Sequence, residues 1–118
     1  MRLEQTDIVD FIGVERETGV VVATLVDDAD WEDELRHLQL LQAKVNRYFD
    51  FIESGEIFSE LARTTGREVD ADHPIKLSIL GKHRPRGEGE RFLEHVADIA
   101  REVGVLFAYK MVGENAEG

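Results

Sequence analysis

The sequence predicts an α+β fold: a four-stranded mixed sheet in the order strand-strand-helix-strand-helix-strand, with one long and one shorter helix packed on it. Three observations lead there. The stretch from Asp30 to Gly55, DWEDELRHLQLLQAKVNRYFDFIESG, repeats apolar residues at three- and four-residue steps. Val20 to Val26, VVVATLV, is an uncharged and mostly β-branched run. Glu90 to Val103 carries a second helical stripe, set between two shorter strand-like segments.

In chain order, Met1 to Thr6 reads as a loose N-terminus. Asp7 to Arg16 (DIVDFIGVER) is the first strand, with Ile8, Ile12 and Val14 on one side, Asp10 interrupting that side, and Val9 and Phe11 on the other. Glu17-Thr18-Gly19 is a turn signal, so the first two strands form a hairpin. Val20 to Val26 is the expected central strand.

The long helix follows. Trp31, Leu35, Leu38, Leu41, Val45, Tyr48, Phe49 and Ile52 share one face at a 3.6-residue period. Asp30 is placed to cap it, Glu32, Asp33 and Glu34 suit its positive end, and Gly55 suits its stop. Beyond it, Ile57, Phe58 and Leu61 form a short helical turn laid back on the core. Thr64 to His73 reads as a loop. Pro74 opens a strand in which Ile75, Leu77 and Ile79 alternate with Lys76 and Ser78. Gly81 to Gly89 is a second loop, locally basic. In the second helix the stripe is Phe92, Val96, Ile99 and Val103, and Gly104 ends it. Val105 to Val112 is the last strand, and residues 113–118 read as a disordered tail of a single domain spanning 1–118.

Composition bounds the function. The chain has 118 residues, no cysteine and a net charge of −11. Disulfides, thiol nucleophiles and cysteine metal sites are excluded, and a cytoplasmic location is expected. The charge argues against nucleic-acid binding, which needs a cationic face to displace phosphate counterions. No apolar run is long enough for a membrane span and MRLEQTDIVD is no secretory signal, so no membrane association is expected.

Each candidate for chemistry has a structural counterpart. The acidic run Asp27, Asp28, Asp30, Glu32, Asp33 and Glu34 lacks the central glycine of a calcium loop and reads as helix capping. None of His37, His73, His83 and His95 is paired at helical zinc-protease spacing, so neither a metal nor a cofactor is expected. His37 borders the apolar stripe as a half-buried packing residue. No GxSxG, phosphate-cradling loop or dinucleotide fingerprint appears, and no catalytic residue is assigned. Leu40 and Phe51 project nearly opposite Trp31 and Phe49, about three turns apart. With Phe11 and Val9 on the second sheet face they point to a homodimer interface; the alternative is that the segment from Ile57 to Leu61 covers them.

The segments DIVDFIGV, Asp30-Trp31 and HLQLLQAKVNRYFDFIESGE (His37 to Glu56) resemble a family of small uncharacterised bacterial proteins. The matching positions are His37, Leu38, Leu41, Gln42, Lys44, Asn46, Tyr48 and the run from Phe51 to Gly55. The resemblance implies one self-contained domain and brings no activity with it. It also draws attention to Gln42, Asn46 and Glu53, polar residues on or beside the apolar stripe. They either hydrogen-bond structurally or line a pocket with His37 and Tyr48. Three functions remain in view: a self-associating, non-catalytic interaction module; an acidic immunity or inhibitor protein for a basic partner; and a small-ligand binder or enzyme using that pocket.

Overall fold

The computed structural model describes residues 3–66, 73–85 and 87–112. The elements run β1 (Phe11–Val14), β2 (Val21–Asp27), α1 (Glu34–Glu53), α2 (Glu56–Thr65), β3 (Ile75–Gly81), α3 (Glu88–Glu102) and β4 (Leu106–Met111). The expected strand and helix order holds, and the sheet is mixed and four-stranded. β1 pairs antiparallel to β2, while β2, β3 and β4 run parallel, so the spatial order is β1-β2-β3-β4.

Among the described residues there are three helices rather than two. Gly55, at φ 82°, turns the chain out of α1, and the next ten residues form α2 instead of a single turn. Ile57 and Leu61, one turn apart, are both fully buried. Three apolar positions in so short a segment were too few to separate a turn from a helix. The expected loop from Thr64 therefore begins inside α2, and residues 67–72 of it lie outside the described residues. The expected disordered tail, 113–118, lies outside them as well.

Two ends also differ from expectation. Leu3 is buried, and its backbone N–H donates to Asp28 Oδ1 at 2.9 Å, so the N-terminal segment is tied to the end of β2. The first turn of α1 starts later than the sequence suggests: Asp33, not Asp30, caps it by accepting from the Arg36 N–H. Asp30 instead accepts from the Glu32 N–H in a tight turn.

All three helices contribute to a core on one face of the sheet. Val21, Ala23 and Leu25 of β2 and Leu77 and Ile79 of β3 are fully buried there against Leu41, Tyr48, Ile57, Leu61 and Val96. The other face carries Phe11, Val22, Thr24, Val26, Lys76, Ser78, Leu80, Leu106, Ala108 and Lys110, alternate with the buried set and matched in register. None of the apolar residues among these packs against the core. The sheet is thus covered on one side only, among the described residues.

The buried arc of α1 is rotated relative to the predicted stripe. Leu35, expected inside, is 67% exposed, whereas Lys44 and His37 are buried beside Leu41 and Tyr48. Two polar residues occupy core positions of the helix, and each is there because a buried carboxylate faces it.

Candidate functional site

The first of those carboxylates is Asp27, the last residue of β2 and in phase with Val21, Ala23 and Leu25. Its Oδ2 lies 2.6 Å from His37 Nε2. On the other side of the ring, Nδ1 lies 2.6 Å from the Asp30 carbonyl oxygen. Both neighbours of the imidazole are acceptors, so both nitrogens donate and the ring is an imidazolium. Burial alone lowers the His37 pKa, but the hydrogen bond and charge of Asp27, then the Asp30 carbonyl, outweigh it and raise the pKa above 6.5.

Trp31 lies flat on this ring, with centroids 3.5 Å apart and planes 11° from parallel, the arrangement of a cation over an indole face. The indole N–H donates to the His83 carbonyl at 3.3 Å, and the Tyr109 hydroxyl donates to the same oxygen at 3.3 Å. Burial, then the nearby Asp27 charge, pushes the Tyr109 hydroxyl up to about 12, against the opposing pull of Arg84. The group sits at the carboxyl ends of the parallel strands, where open α/β sheets commonly hold ligands. Beside it is a cleft of about 290 Å³ that includes Asp28, Asp33, Arg36 and Leu40. A His–Asp pair suggests general-base chemistry, yet both ring nitrogens of His37 are already engaged by protein oxygens and the residue is 2% exposed. No lone pair is left to accept a substrate proton. The pair locks the β2–α1 connection instead.

The lock also explains Gly89 at the start of α3. A Cβ there would come within 2.8 Å of the Trp31 ring, which is itself packed against His37. Gly89→Ala is expected to lower stability by about 1–3 kcal/mol through overpacking. It should also shift the emission of Trp31, the single tryptophan of the chain. Urea denaturation followed by fluorescence reads both, and an unchanged midpoint would remove the close contact from the account.

The second buried carboxylate is Asp10, just before β1. Its Oδ1 accepts from Lys44 Nζ at 2.9 Å and its Oδ2 from the Val26 N–H at 2.9 Å, and both side chains of the ion pair are fully buried. The Asp10 N–H donates to the Tyr48 hydroxyl at 2.7 Å, which in turn donates to the Thr24 carbonyl at 2.5 Å. Burial drives the Tyr48 pKa well upward, so the hydroxyl stays neutral and able to donate. No buried side-chain nitrogen or oxygen among the described residues lacks a hydrogen-bond partner. Nor is any group of three or more His, Asp or Glu side chains among them placed to hold a metal ion. Asp28, Asp30 and Asp33 of the acidic run accept from backbone N–H groups.

The five residues expected to form one pocket do not converge. His37 and Tyr48 belong to the two buried networks just described. Gln42, Asn46 and Glu53 stand on the opposite side of α1, exposed along a groove between α1 and α3. The rotation of the buried arc explains the separation: with Lys44 and His37 inside, the line through Gln42, Asn46 and Glu53 turns outward. The three expected interface residues are also apart. Phe11 is 47% exposed on the uncovered sheet face. Phe51 is buried within the chain, with the Arg47 guanidinium 5.6 Å from its ring centroid, and Leu40 is half-buried at the cleft beside His37.

Sequence reasoning named Asp10, Asp27 and Lys44 but gave none of them a buried partner. Their signal was phase rather than motif: Asp27 continues the alternation of buried residues in β2, and Lys44 lies three and four residues from Leu41 and Tyr48. A charged residue in register with a core stripe is a cue to seek a buried partner. Among the described residues, no helix is long and apolar enough to cross a membrane.

No curated protein and no solved structure matches the chain. The model of a family of unknown function, DUF6572, matches residues 1–113, nearly the whole chain. The protein belongs to this family, and the networks that join β1, β2 and α1 all lie inside the matched span.

Proposed function

We propose that the protein is a non-catalytic, self-associating interaction module whose contact surface is the uncovered face of the sheet. The observation that carries this reading is the one-sided packing. All helices lie against one face, while Phe11, Val22, Val26, Leu80, Leu106 and Ala108 line the other. A sheet face of this kind buries its apolar residues by packing on a second sheet about 10 Å away. Small residues in its central row, Thr24, Ser78 and Ala108, suit close approach.

Charge favours a second copy as the occupant. Two chains of net charge −11 repel one another unless they meet where carboxylates are absent. Among the described residues, the paired strand positions of the uncovered face carry no carboxylate; the charges there are Lys76 and Lys110, in different rows, with apolar stems that can lie along the interface. Of the interface residues expected from the sequence, Phe11 belongs to this surface.

Sedimentation equilibrium of the full chain at elevated salt, which screens the net charge, tests the reading. The expected result is twice the 13.4 kDa chain mass. Ser78→Glu, in the middle of the face, should return the monomer with an unchanged circular dichroism spectrum. A wild-type monomer at every accessible concentration would sink the proposal.

A further inference from the structure

The groove between α1 and α3 lies on the helical layer, away from the uncovered sheet face. Gln42, Asn46, Asp50 and Glu53 follow one another along α1 at steps of four, four and three residues, a line about 16 Å long. Phe92, His95 and Ile99 face them from α3. The floor is apolar: Val45, Phe49 and Val96 are buried, and Phe92 and Ile99 remain half-exposed. The groove holds about 460 Å³.

Its charge is one-sided. Asp50 and Glu53 line it, and no lysine or arginine among the described residues does. Some carboxylates on the helices have an arginine beside them: Glu60 with Arg63, Glu88 with Arg91 and Asp98 with Arg101. Glu34, Glu90, Glu94 and Glu102 form no ion pair among the described residues but lie outside the groove. Asp50 and Glu53 are paired with no cation among the described residues. We infer that this groove is the docking site for a cationic amphipathic helix of a partner protein. Apolar side chains at i, i+3 or i+4 and i+7 of that helix seat between Phe49, Phe92 and Ile99, and its lysines or arginines meet Asp50 and Glu53.

The shape selects a helix over a small ligand. A straight trough walled by two helices accepts a third at ordinary interhelical spacing. Its polar groups are exposed and strung along the wall, whereas a small-molecule site converges a few polar groups on one enclosed point. A small anion is repelled by the same two carboxylates.

The probe is an acetylated peptide of about 14 residues, with leucine on one helical face and lysine on the other. Its binding to the full chain is followed by fluorescence anisotropy and by amide shifts in NMR. Shifts are expected to centre on Asn46, Asp50, Phe92, His95 and Ile99. The double variant D50K/E53K should weaken binding about tenfold or more. E4K/E17K changes the net charge equally at exposed positions outside the groove and should leave affinity within about twofold. A peptide of the same composition with its leucines scrambled around the helix should not bind. The inference falls if the amphipathic peptide does not bind, if the shifts spread over other faces, or if both double variants weaken it equally. Repeating the titration on Ser78→Glu keeps the outcome separate from self-association, since that substitution is on the opposite layer and should not alter peptide affinity.

Discussion

Lys44→Met lowers the unfolding free energy by about 3–5 kcal/mol, because it leaves the Asp10 carboxylate buried without its cation. The whole stability of a domain this size is of order 5–15 kcal/mol, so the variant stands near the edge of folding. The reasoning rests on the geometry of Asp10. Its two oxygens divide between Lys44 and the Val26 N–H, and neither reaches water, since both members of the pair are fully buried. Methionine fills much of the lysine stem's volume, which confines the loss to charge. Urea denaturation with linear extrapolation measures it. Adding Asp10→Asn should recover part of the loss: an amide carbonyl still accepts from Val26, and the stranded charge is gone. A loss below about 1 kcal/mol in Lys44→Met, the range of an exposed pair, would overturn the assignment of a buried ion pair.

The second large effect is a pH dependence carried by His37. Its folded pKa lies above the unfolded value near 6.5, because Asp27 and the Asp30 carbonyl outweigh the opposing effect of burial. The folded state therefore holds the proton more tightly than the unfolded chain. That contribution is fully present below about pH 6.5 and is lost as pH rises through the raised pKa. The wild type should lose stability as pH rises from about 6.5 through the raised pKa, and His37→Gln should flatten that slope. At about pH 6 the variant should also be less stable by about 1–3 kcal/mol, since the amide replaces a charge-assisted bond to a buried carboxylate. Trp31 gives a second readout. An imidazolium stacked on an indole quenches it, so wild-type emission should rise over the same interval and the emission of His37→Gln should not. His73, His83 and His95 are present in both proteins, so the difference between them isolates His37. Equal slopes for the two proteins would refute the imidazolium lock.

The two networks do the same work at two heights along α1, and both reach the carboxyl half of β2. Asp10, Lys44 and Tyr48 fasten the segment before β1 to the middle of α1 and to the Thr24 carbonyl. Asp27, His37 and Trp31 fasten the exit of β2 to the first turns of α1 and to the His83 carbonyl. The long helix is held on the sheet in one rotational setting by buried charge at two heights, and apolar packing fills the space between. A helix with only an apolar stripe can roll by part of a turn at small cost. One that must bring Lys44 to Asp10 and His37 to Asp27 cannot. This setting turns Gln42, Asn46, Asp50 and Glu53 outward into the groove with α3.

The elements themselves were legible in the chain. The β-branched run at Val20–Val26, the alternation at Ile75–Ile79 and the stripes of the two longer helices are repeats of two and of about 3.6 residues. Such repeats are local and survive without knowledge of neighbours. Composition likewise settled the absence of cysteine chemistry and the acidic balance of the chain. What only the tertiary structure decided was pairing: which strands run parallel, that α2 is a full helix, which way α1 faces, and that Asp10 meets Lys44 and Asp27 meets His37. Ten residues separate Asp27 from His37 and 34 separate Asp10 from Lys44. A charged residue read alone looks like surface. It becomes core only when folding brings a partner of opposite charge within about 3 Å, and nothing local in sequence records that meeting.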